Sequence, residues 1–402
     1  MRLFPSAEPP LLKLPLFRRL VLLWFVVELT ALALPLLLPM DWYLALYLPE
    51  HASAQTTRFL NNELATIPDE TLGWINKPNY SKGNWQIDGL GGRNHQPISI
   101  TPNPELKRII FLGSSLINGS NFVDNDETIS AYLQSQANPT EIEAANFATM
   151  MYTLDQIYLQ LRDHILRLKP DVIVIGLHED PSYGLDNLYV PLIRPEEANM
   201  PFVKPMFARD ESTTLALTLP PLAGLAKRDG QFIDRLRQQD AHFINLQRFA
   251  HLHTTPLLAG ADLLTTKALN LGRYFTEAEQ DHRLLRTLMQ TVDTLAAKHQ
   301  VKIIYAYLPT PRALLQGGIW RFMPDFYASR YQWLARPWPE QRASTQTTGP
   351  EVVNIRQAFR DQHHNNPMDL YADDGYHFSA YGNQHIAKAI AQALKDLDSL
   401  QE

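Results

Sequence analysis

An apolar run, Ile109–Leu112, stops at Gly113 and is followed by two serines, Ser114 and Ser115. A buried parallel strand ends this way when its first loop must carry a small reactive side chain. Ser115 then falls just past the carboxyl end of a strand, where open α/β sheets place their ligands, and Leu116 and Ile117 can begin a helix that packs back on the sheet. A helix amino terminus there favours a developing negative charge.

The rest of the chain repeats this strand-then-helix rhythm. A helix is predicted around Thr128–Gln136, a strand at Ile142–Asn146 and a helix from about Leu154 to Leu168. After Pro170 comes a strongly apolar strand, Val172–Ile175. Regularity fails between about 181 and 275, a proline-rich stretch with helical fragments such as Phe232–Leu252, which reads as a long insertion. The pattern resumes with a helix at Thr276–His299, a strand at Val301–Leu308 and a short strand at Val352–Ile355. Such alternation argues for a parallel sheet covered by helices on both faces.

Near the other end, Asp374 stands three residues before His377, and Ser379, Gly382 and an amphipathic run, His385–Leu397, follow. Ser115 as nucleophile, His377 as its general base and Asp374 as the group orienting the imidazole would make a triad. Small residues suit any tight turn, so neither motif decides alone. Their order at the two ends of one αβ domain carries the information.

These residues, with Asn146 and a third strand ending near 176, resemble the SGNH (GDSL-type) hydrolases. The likeness is greatest to their membrane-anchored bacterial branch, in which a segment like Leu72-Gly73-Trp74 with Lys77-Pro78-Asn79 precedes the nucleophile strand. The resemblance implies a three-layer αβα domain with about five parallel strands, here over 108–398. It also implies acyl transfer through Ser115, His377 and Asp374, with an oxyanion held by the amide of Ser115, a second amide and an asparagine side chain.

Two of those donors depart from the family pattern. Met151 stands where the second amide is a glycine's, so the loop must reach the required conformation without glycine's freedom. The asparagine position falls on Asp180 or Glu179, depending on whether one counts from Pro170 or matches the following acid. An ionised carboxylate accepts rather than donates, so the site needs a protonated acid, a donor such as His178, or performs no hydrolysis. Ser114 replaces the family's Asp beside the nucleophile, a milder change.

The amino terminus adds a location. Leu20–Met40 is nearly unbroken apolar sequence, about long enough to cross a bilayer, with Glu28 its only charge. Lys13, Arg18 and Arg19 precede it and Asp41 and Glu50 follow. The positive-inside bias puts 1–19 in the cytoplasm, 20–40 in the inner membrane, and a loop-rich lead-in at 41–107 with the domain beyond it on the periplasmic side. A cleaved signal peptide ending near Ala52–Ala54 competes with this reading, but that site lies far from the apolar core. Trp74, Ile75 and Trp85 argue that the lead-in packs on the domain and is no plain tether.

A net charge of −6 gives no electrostatic case for nucleic acid, and zero cysteines remove disulfides and thiolate metal sites. No phosphate-cradling glycine loop or dinucleotide fingerprint is present, so no cofactor is implied. His178, Glu179 and Asp180 are metal-ligand types, but three adjacent side chains on one loop do not converge without help, so no metal is expected. His363 and His364 read as surface. Trp320, Phe326, Tyr327, Tyr331, Trp333 and Trp338 suit either packing or stacking on sugar rings.

Three functional readings follow. The first is an anchored extracytoplasmic acyl esterase or O-acyltransferase acting on cell-envelope or exported polysaccharide, beside a multi-pass membrane acyltransferase of the kind the resemblance implies. The second is a non-catalytic accessory subunit of a membrane complex. The third is a soluble cytoplasmic enzyme with a buried amino-terminal helix.

Overall fold

The computed structural model describes residues 18–27, 30, 54–94, 96–136, 141–178, 184–185, 188, 202–209, 215–226, 278–309, 311, 351–362 and 367–399. Five parallel strands form its main sheet: β5 (Lys107–Leu112), β6 (Ile142–Asn146), β7 (Val172–His178), β10 (Lys302–Leu308) and β11 (Glu351–Asn354), in the order β11-β10-β7-β5-β6. The helices described between them are α2 (Ser115–Asn118), α3 (Ile129–Gln136), α4 (Leu154–Gln160), α5 (Ala223–Ala226) and α6 (Ala278–Lys298), and α7 (Ile355–Gln362) and α8 (Ala380–Ser399) follow. The expected α/β class and the five parallel strands are therefore present.

Period-two alternation divides the core. Ile110, Leu112, Ile173, Ile175, Ile303 and Tyr305 face one side with α4 and α6, whereas Ile109, Phe111, Val172, Val174, Ile304 and Ala306 face the other with α3 and α8. Helices on both faces explain why β7 is buried along nearly its whole length. The chain passes from β5 to β6 on one side, then back across β5 to β7 on the other. That reversal creates a crevice at the carboxyl ends of β5 and β7, and Ser115 follows β5 into it.

Strand β7 runs past the expected end at Ile175 to His178, pairing Gly176 with Ala306 and His178 with Leu308. Gly176 does not end the strand; it makes room. A Cβ there would lie 2.2 Å from Cγ1 of Ile117, and one on Gly113 would lie 2.8 Å from the same atom. The two glycines form the notch into which the helix of Ser115 is keyed. The helix read as Leu154–Leu168 is α-helical only to Gln160, then continues as a π turn over Leu161–Ile165 and a 3-10 turn over Leu166–Leu168.

The described part of the lead-in, from Ala54 on, packs on the domain through Phe59, Leu72 and Trp74. It contains α1 (Ala54–Leu60) and two short antiparallel pairs, β1 (Thr66–Asp69) with β2 (Gly73–Asn76) and β3 (Ser81–Lys82) with β4 (Trp85–Gln86). Phe59, Leu72 and Trp74 are fully buried in the α4 and α6 side of the core. From the insertion, the pair β8 (Met206–Arg209) and β9 (Leu215–Thr218) is described, and Phe202, Val203 and Phe207 join the same cluster. The fragment Phe232–Leu252 lies outside the described residues.

Residues 18–27 are helical, with exposed apolar side chains from Leu20 to Val27. Among the described residues no helix is long and apolar enough to cross a membrane, and most of the stretch 28–40 lies outside them.

Candidate active site

Ser115 is the first residue of α2, whose N-cap is Ser114 and whose C-cap, Gly119, takes φ 84°. The helix is a single turn, so its dipole adds little; the nearby backbone amides matter more. Asn146 at the end of β6 holds this turn in place. Its Nδ2 donates to the carbonyl of Ile117 at 2.9 Å, and Nδ2 of Asn118 donates to the carbonyl of Ala148 at 2.8 Å. The helix and the loop after β6 are thus stitched together in both directions.

Arg93 closes the other end of α2. Its guanidinium donates to the carbonyls of Asn118 at 2.8 Å, of Val123 at 2.5 Å and of Ser120, and Nε donates to Asn125. Burial pushes this group down to about 10, against the upward pull of Asp124. Nothing in the sequence pointed to Arg93, because the carbonyls it gathers belong to a turn whose shape only the fold reveals.

The loop after β6 carries Met151. The amide of Thr149 donates to the carbonyl of Gly113 at 3.0 Å, binding this loop to the end of β5. Met151 adopts φ 62°, the left-handed conformation that a glycine would take easily. Met151 thus holds a glycine-like backbone with a Cβ present. No described residue accepts a hydrogen bond from the amides of Ser115 or Met151.

His377 and Asp374 form a compact pair. Nδ1 of His377 lies 2.6 Å from Oδ2 of Asp374, while Oδ1 accepts from the backbone amides of Tyr376 and His377, each at 3.0 Å. Burial pushes the Asp374 carboxyl up, but these hydrogen bonds outweigh it and hold the group below its ordinary value. The carboxylate thus fixes the ring through one nitrogen and leaves Nε2 for other work. That Nε2 is buried and has no hydrogen-bond partner among the described residues.

Three contacts dock this loop and the start of α8, one of them against the turn after α2. The imidazole stacks on Phe122, in the turn after α2, with centroids 4.7 Å apart and planes 21° apart. The Tyr371 hydroxyl donates to the carbonyl of Pro309 past the end of β10, and Nδ2 of Asn383 donates to the carbonyl of Glu127. Ser379 caps α8, its hydroxyl accepting from the amide of Gly382 at 3.1 Å. His178, at the end of β7, lies with its ring centroid 6.2 Å from that of Tyr376, so a third strand end reaches the same edge.

The carboxyl edge of the sheet therefore carries Ser115, Met151, His178, Asp374 and His377 on neighbouring segments. Glu179 and Asp180 lie outside the described residues, as do His363, His364 and the aromatic cluster from Trp320 to Trp338. Among the described residues no group of three or more His, Asp or Glu is placed to hold a metal ion.

No family model matches the chain, and no curated protein matches it. Solved structures similar to it include a GDSL-like lipase from Bacteroides thetaiotaomicron, at 13% identity over 72% of this chain and 89% of the other, with TM-score 0.32. An acetyl xylan esterase variant from Geobacillus stearothermophilus is 13% identical over 71% of this chain and 93% of the other, with TM-score 0.36. A lipase from a goat rumen metagenome is 11% identical over 71% of this chain and 96% of the other, with TM-score 0.36.

Proposed function

We propose that the protein is a serine acyl esterase or O-acyltransferase, with Ser115 as nucleophile, His377 as general base and Asp374 orienting the imidazole. One observation supports this reading above the rest: His377 is fixed through Nδ1 by a carboxylate, while its buried Nε2 has no hydrogen-bond partner among the described residues. A purely structural histidine at this depth normally satisfies both nitrogens. On this reading Nε2 takes the Ser115 proton as oxygen attacks an ester carbonyl, and the acyl-enzyme passes its group to water or a sugar hydroxyl. The amides of Ser115 and Met151 receive the oxyanion.

Anchoring through Leu20–Met40 in the inner membrane, with the domain on the periplasmic side, would give access to envelope or exported polysaccharide as acyl acceptor and to a multi-pass membrane acyltransferase as partner. The charge distribution around that apolar stretch supports this placement.

Labelling of the full chain with a fluorophosphonate, read by intact mass, tests the assignment. One adduct is expected on the wild type and none on Ser115→Ala or His377→Ala. No adduct from folded wild-type protein at any pH would transfer the assignment to a non-catalytic accessory subunit.

A further inference from the structure

Thr149 to Tyr152 is a β-turn: the amide of Tyr152 donates to the carbonyl of Thr149 at 3.3 Å, and Met151, its third residue, has φ 62°. A positive φ at that position marks the type II turn. Type I differs chiefly by a half-rotation of the central peptide, here the one joining Met150 to Met151, which returns the third residue to negative φ. For a residue with a Cβ the negative value is intrinsically preferred. Glycine makes type II easy; methionine does not. Something else must hold this peptide in place.

The indole of Trp74 does so. Its Nε1 donates to the carbonyl of Met150 at 2.9 Å. In a planar trans peptide the C=O and N–H point in opposite directions, so fixing the Met150 carbonyl fixes the Met151 amide on the far side. Trp74 is itself held on all sides. Its ring stacks on Phe202 with centroids 4.4 Å apart and meets Tyr152 edge-on, while its carbonyl accepts from the Tyr152 hydroxyl at 2.5 Å. Gly73, at φ 85°, lets the backbone of Val203 approach to where a Cβ would lie 1.9 Å from its carbonyl oxygen. Asn76, farther along β2, donates to the carbonyl of Ala148 at 3.1 Å. Strand β2 is a brace along the whole Met151 loop.

We infer that Trp74 is a positioning residue for the oxyanion-binding peptide: its indole N–H holds the Met150–Met151 peptide with the Met151 amide toward Ser115, a role that in a glycine-bearing turn would need no outside donor. The inference rests on the acyl-transfer reading for its kinetic consequence, but the peptide orientation stands apart from it.

The test uses the full chain with Trp74→Phe, Met151→Gly and the double variant. A fourth protein carries 3-(3-benzothienyl)alanine at position 74, which keeps the indole shape and removes only the donor. Hydrolysis of p-nitrophenyl acetate is followed for kcat and KM, and the Trp74→Phe structure is determined. Loss of the donor should lower kcat about ten- to hundredfold with KM nearly unchanged, since a lost oxyanion donor costs about a hundred- to a thousandfold. Met151→Gly added to Trp74→Phe should recover most of that loss, because glycine accepts the type II turn unaided. In the Trp74→Phe structure Met151 should sit at negative φ.

Wild-type kcat in both position-74 variants, or a double variant no faster than Trp74→Phe, would overturn the inference. If the wild type shows no Ser115-dependent turnover, the acyl-transfer reading fails separately. The structure still decides this inference: a rotated peptide in Trp74→Phe sustains it and an unmoved one overturns it.

Discussion

The Met151 turn and the His377 loop lie at one edge of the same sheet, yet they are held by opposite means. His377 takes its orientation from Asp374, three residues away along the chain, and from two backbone amides within the same turn. Met151 takes its orientation from partners far off in sequence: Trp74 reaches Met150 across 76 residues, Tyr152 reaches Trp74 across 78, and Gln156 reaches Leu72 across 84. A local pair can form its geometry wherever its loop is docked. A braced turn exists only if the whole assembly does.

The two sheet faces repeat the contrast. The His377 side rests on an aliphatic and aromatic cluster including Leu116, Ile117, Phe359 and Phe378. The brace side buries polar groups: Nζ of Lys204 lies 2.5 Å from Oδ2 of Asp155, both side chains fully buried, and Tyr305 donates to Asp293 at 2.8 Å. Lys204 binds the insertion to α4, the helix that leaves the Met151 turn. Removing one partner of such a buried pair leaves the other's charge stranded in the interior.

If this contrast holds, substitutions on the two sides will separate rate from stability. The largest effect should come from Asp374→Asn, which leaves the ring in the wrong tautomer and is expected to lower kcat about a thousand- to ten-thousandfold. Its thermal midpoint should change little, because the asparagine keeps an oxygen to accept from the amides of Tyr376 and His377. A large drop in midpoint by calorimetry would show that the pair is structural too. Next, Lys204→Met should cost about 3–5 kcal/mol in urea unfolding, because it strands a buried carboxylate. A neutral result would mean that Asp155 is satisfied by Thr153 and Gln156 alone.

The smallest effect concerns Asp293, which burial pushes up to about 7. Its Oδ2 is buried without a hydrogen-bond partner among the described residues. Below about pH 3, folded and unfolded chains both hold the proton and no stability is lost. As pH rises from there to about 7, the unfolded chain releases its proton first and stability declines. Asp293→Asn removes this decline, so it should gain on the order of 1–3 kcal/mol over the wild type at pH 8 and little at pH 4. An equal difference at both pH values would count against a protonated Asp293.

What the sequence makes legible follows the same division. The strands are apolar runs of the right length, so β5, β6, β7 and β10 are found to within a few residues, and the Asp374 and His377 spacing points to its own geometry. Gly176 misleads, because it looks like a strand end and is instead a notch for Ile117, a residue on another element. Arg93 and the Trp74 contact to Met150 are invisible for the same reason: each depends on a carbonyl whose direction is set by a turn elsewhere. Met151 is an intermediate case. The sequence shows that a glycine is missing, but not what takes over its work.

The joint between Asn383 and Glu127 spans 256 residues and docks α8 against the segment that follows α2. Its consequence is one of timing. Contacts so far apart in sequence form late, because the entropy of closing so large a loop must be met before they stabilise anything. On the proposed reading, Ser115 is chemically an ordinary serine throughout most of folding. It gains its base in the same event that completes the sheet's outer cover, so a partly folded chain would carry no reactive nucleophile.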